Sequence, residues 1–69
     1  MTELGEQMVR RADSEGLPRD HVLRTAAAEF ELATEGYYSD PQTVPVAKFF
    51  GAWARARSIW CKYTGEPLV

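Results

Sequence analysis

Phe49-Phe50-Gly51-Ala52-Trp53-Ala54-Arg55-Ala56-Arg57-Ser58-Ile59-Trp60 is the stretch whose periodicity decides the fold. Place Trp53 at 0° and advance 100° per residue, as in an α-helix. Val46, Phe49, Ala56, Trp60 and Thr64 then fall on one side with it. Ile59, Ala52 and Tyr63 widen that surface on one flank; Phe50, Cys61, Ala54 and Ala47 widen it on the other. The apolar arc covers about 240°, whereas a surface helix needs a stripe only somewhat wider than 100°. Lys48, Arg55 and Lys62, spaced seven apart, form the polar strip that remains. A helix apolar over so much of its girth belongs at the centre of a core.

Outward from this helix, two more are readable. The first spans about residues 2–15. Thr2 is placed to cap it, Glu3 and Glu6 suit the positive end of its dipole, and Leu4, Met8 and Ala12 form a narrow apolar stripe. Gly16 suits the left-handed residue that ends it, with Leu17 folding back. The second spans about 19–35, with Pro18 at its first turn and Gly36 as its natural stop. Its inward face is Leu23, Ala26, Ala27, Phe30 and Ala33, with Tyr37 beyond; Leu32 points the other way. Tyr37 to Thr43 form a connection built on Asp40-Pro41. The third helix spans about 44–63, capped by Thr43 or Val44 with Pro45 in its first turn, and ends before Gly65 and Pro67. No segment alternates as a strand does. The pattern predicts one all-α domain over residues 1–69: a small three-helix bundle, or a helical hairpin with an extra helix.

Sixty-nine residues bury only about 60% of the surface their unfolded chain exposes, so folds of this size often need a staple or a partner. One cysteine excludes an internal disulfide, and Cys61 with His21 is too small a set for zinc. Two thin helices, one rich in alanine, leave part of the third uncovered. The expected remedy is a homodimer or a protein partner meeting Phe50, Trp53, Arg57 and Trp60. The competing remedy is cover from Tyr37, Tyr38 and the tail Pro67-Leu68-Val69. Arg57 lies within reach of both indoles and of Glu29, Glu31 or Glu35 on the second helix. Gly51 costs about 1 kcal/mol in a helix interior; close backbone approach or a tolerated defect on the solvated face both suit it.

Catalytic chemistry finds little support. Nothing in the spacing of Cys61 and His21 brings them together, and the pairs Glu29/Glu31 and Glu31/Glu35 read as a solvated surface. Glycine-rich phosphate loops and metal-binding helix motifs are absent, so no enzyme, cofactor or metal is expected. The rival reading is a small nucleic-acid-binding regulator using Lys48, Arg55 and Lys62. Against it stand a net charge of -2 and the bulky aromatics on the helix that would read bases. The charge divides unevenly: residues 1–43 hold nine acids and four bases, residues 44–69 one acid and four bases. Membrane docking ranks lowest, and the N-terminal residues show no export signal, so the cytoplasm is the expected compartment. The reading is a non-catalytic interaction, adaptor or accessory regulatory protein.

Overall fold

The computed structural model describes residues 2–65. Three helices follow in order, α1 (Glu3–Ser14), α2 (Val22–Ser39) and α3 (Val46–Thr64), with no strand among the described residues. The chain is all-α, as the periodicity predicts.

Each helix end has a local cause. The Thr2 hydroxyl accepts the Gly5 N–H at 3.0 Å and caps α1. Past its other end, Gly16 adopts φ +64°, and the Leu17 N–H reaches back to the Ala12 carbonyl at 2.9 Å. That is the left-handed stop expected from sequence, with Leu17 half-buried against the core.

The bounds of α2 differ from expectation at both ends. Pro18 lies outside the helix, in a turn closed by the His21 N–H on the Pro18 carbonyl. His21 is the cap instead, its Nδ1 accepting the Leu23 N–H at 3.1 Å. Gly36 does not stop the helix, which carries Tyr37 and Tyr38 in its last turn. A Cβ on Gly36 would stand 2.7 Å from Val44 Cγ2, so this glycine makes room for the returning chain. The stop comes at Asp40, held out of helical geometry by the following proline. Asp40 then organises the turn: the Thr43 hydroxyl donates to its carboxylate and holds its pKa below the usual range. Pro45 occupies the cap position of α3, two residues later than Thr43, and Gly65 ends α3 at φ +77°. Pro67, Leu68 and Val69 lie outside the described residues.

Met8, Ala12, Leu23, Ala26, Ala27, Phe30, Ala56 and Trp60 form the core. The small surface of its four alanines is not a weakness here, because it lets the helices approach closely around Met8 and Leu23, both fully buried. The α1 helix packs chiefly on α2 and touches α3 less. Its start is tied to the middle of α2 by Glu31, whose carboxylate accepts both the Thr2 N–H and the Thr2 hydroxyl. Its end is tied near the start of α2 by Asp13 and Arg24, 2.8 Å apart. With 12 residues against 19, α1 is about 18 Å long and α3 about 28 Å. One helix therefore runs well past the cover the other provides, and this mismatch positions the surface described next.

Candidate interaction surface

The third helix turns Ala52, Ala56 and Trp60 into the core, and Phe49, Ile59 and Tyr63 pack partly against it. The same helix exposes Val46, Phe50 and Trp53, at 48%, 58% and 42%. These residues are spaced i, i+4 and i+7, so they share one stripe. Arg57 continues it by one turn and is half-buried in a shallow cleft lined by Leu4, Gln7, Phe30 and Trp53.

The four residues expected to meet a partner thus fall into two groups. Phe50 and Trp53 are accessible, with Arg57 beside them. Trp60 is only 8% exposed and belongs to the core of the single chain. The two indoles lie seven residues apart on nearly one face, and sequence periodicity cannot separate them. The start of α1 reaches Trp53, sharing a cleft with it through Leu4 and Gln7, yet leaves that indole 42% exposed, whereas Trp60 is enclosed in the cluster built from all three helices.

The stripe has an aromatic foundation. Phe49 stacks on Tyr37 with centroids 5.0 Å apart and meets Phe30 at 6.2 Å. Tyr38 and Phe50 both lean on Phe49, at 6.4 and 5.6 Å. Tyr38 is 75% exposed and extends the surface onto α2. Its placement there was hidden by the expectation that the helix ends at Gly36. Tyr37 does cover part of α3, as the competing reading holds, but Phe50 and Trp53 stay open. The result is an apolar surface fixed from beneath by stacked rings, a rigid base of the kind partner anchors favour.

Arg57 forms no ion pair, hydrogen bond or ring contact among the described residues. Its three expected carboxylate partners are otherwise placed: Glu29 lies 3.6 Å from Arg55, Glu31 holds Thr2, and Glu35 is exposed on α2. The cation over a ring is instead Arg11, 5.7 Å from the centroid of Tyr63. The Tyr63 hydroxyl donates to Glu15, which also accepts from Arg11. The Tyr63 hydrogen bond, then Arg11, hold the Glu15 carboxyl below its usual pKa; Glu15 in turn raises the Tyr63 phenol. This cluster straps the end of α1 to the end of α3.

The remaining candidates are spread out. Lys48, Arg55 and Lys62 are all exposed on α3. Cys61 is buried, and His21 caps α2 with its ring edge-on to Tyr63 at 5.8 Å. No group of three His, Cys, Asp or Glu side chains could hold a metal among the described residues. No helix of the described residues is long and apolar enough to cross a membrane. No family model, curated protein or solved structure matches the chain.

Proposed function

We propose that this chain is a non-catalytic protein-interaction module of the cytoplasm that presents the Val46–Phe50–Trp53 stripe of α3, flanked by Arg57 and Tyr38, to another protein. One observation carries the reading: Phe50 and Trp53 stand exposed beside each other on α3. Exposed aromatic residues next to an arginine are the composition that interface hot spots favour. Contiguous apolar surface of this kind on a small domain marks a place where something docks. Such a surface suits an adaptor or an accessory regulatory role.

A photo-crosslinking residue introduced at Phe50, in cells that express the protein, tests the reading. The same residue at Ala28, exposed on α2, is the control. Protein adducts at position 50 and none at position 28 are expected. Equal or absent labelling at both positions would overturn the proposal.

A further inference from the structure

A second surface lies between α2 and α3, and no residue of α1 lines it. Its floor is small: Ala33 from α2, Gly51 and Ala52 from α3. A Cβ on Gly51 would meet nothing within 4 Å, so this glycine leaves a recess that the single chain does not fill. Leu32 stands on the α2 rim, 73% exposed. The rims carry opposite charges, Glu29 on α2 against Lys48 and Arg55 on α3.

These features have matching heights along the hairpin. Glu29 lies across from Arg55, and Gly36 lies across from Val44. Leu32 falls between Glu29 and Gly36, and therefore level with Gly51. We infer that this groove is the seat of a second copy of the chain, related by a two-fold axis parallel to the helices. Such an axis lays α2 of each copy antiparallel on α3 of the other, the arrangement of a four-helix bundle. Each Leu32 then enters the recess at the partner copy's Gly51. Each Glu29 faces the partner copy's Arg55, so two ion pairs become a ring of four charges. The existing Glu29–Arg55 pair is open to water at 49% and 62% side-chain exposure, and both groups are accessible to a second copy. The face is complementary to itself in shape and in charge, which is what an isologous dimer requires. It also leaves the Phe50–Trp53 stripe open, so this assembly stands independently of the function proposed above.

Sedimentation equilibrium of the full chain over a range of concentrations tests the inference, with far-UV circular dichroism as the check on folding. The wild type is expected to move from monomer to dimer as concentration rises. Gly51→Leu fills the recess and Leu32→Glu removes the knob; each should leave a folded monomer. Glu29→Arg and Arg55→Glu should each weaken the dimer roughly tenfold, and an equimolar mixture of the two should restore it. Trp53→Ser should leave the dimer intact. A wild-type monomer at every concentration would overturn the inference, as would a mixture that fails to recover. Loss of the dimer in Trp53→Ser with none in Leu32→Glu would move self-association to the aromatic stripe and overturn it too.

Discussion

Replacing each tryptophan with alanine separates the two faces of α3. Trp60 is 92% removed from solvent and packs in the central cluster, so its truncation leaves a cavity under all three helices. A buried tryptophan cut to alanine costs about 3–5 kcal/mol. Trp53 buries little more than half of its surface, which scales the same change to about 2–3 kcal/mol. A chain of 69 residues has about 3.5–10 kcal/mol of stability to lose. Trp60→Ala therefore brings the fold to the edge of collapse, while Trp53→Ala leaves it populated. Thermal unfolding followed by far-UV circular dichroism is the assay, because fluorescence would report a different indole in each variant. In a domain of this size about 1 kcal/mol moves Tm by roughly 4–8 °C, so the two variants should melt at least about 5 °C apart. Equal loss in both, or a Trp60→Ala protein within about 1 kcal/mol of wild type, would refute the division of α3 into core and surface.

Three further outcomes follow from particular residues. Gly51→Ala should raise monomer stability by about 0.8–1 kcal/mol in urea denaturation at low protein concentration, since helix propensity improves and the new methyl meets nothing. The strap at the helix ends should show in the pH dependence of stability. Glu15 has a lowered carboxyl pKa, so its contribution is present above the ordinary carboxylate value and is lost as pH falls; Tyr63 has a raised phenol pKa, so its contribution is present below the ordinary phenol value and is lost as pH rises. Tyr63→Phe should flatten both arms of a stability–pH curve, and unchanged arms would show that the hydrogen bond contributes nothing. Duplex DNA should bind weakly at physiological salt and indifferently to Lys48→Glu, Arg55→Glu and Lys62→Glu in fluorescence anisotropy; tight, salt-steep binding abolished by those changes would favour the nucleic-acid reading.

Much of the architecture is legible in the chain because its signals are local. Thr2 as a cap, Gly16-Leu17 as a left-handed stop and Gly65 beyond α3 act within a few residues of where they sit. Gly36 misleads for the opposite reason. Its role is to admit Val44, a tertiary contact that no local propensity encodes, so α2 runs on to Asp40 and takes Tyr37 and Tyr38 with it. The width of the apolar arc on α3 is equally readable, and it rightly signals more surface than two thin helices can cover. Which part stays open is not readable, because that depends on where a 12-residue helix comes to rest on a longer hairpin. Hence Phe50 and Trp53 emerge at the surface and Trp60 does not, although all three share one arc. The Arg57 expectation fails on placement as well: of its three candidate partners, Glu29 lies by Arg55, Glu31 is taken by Thr2 and Glu35 stands exposed on α2.

The most direct test uses the two tryptophans as internal probes of one helix. Hydroxyl-radical footprinting would compare oxidation of Trp53 and Trp60 in dilute purified protein and inside cells that express it. The account predicts that Trp53 is readily oxidised in the purified chain and protected in cells, while Trp60 is protected in both. Equal oxidation of Trp53 in the two settings would contradict it, and would mean that no partner covers the stripe.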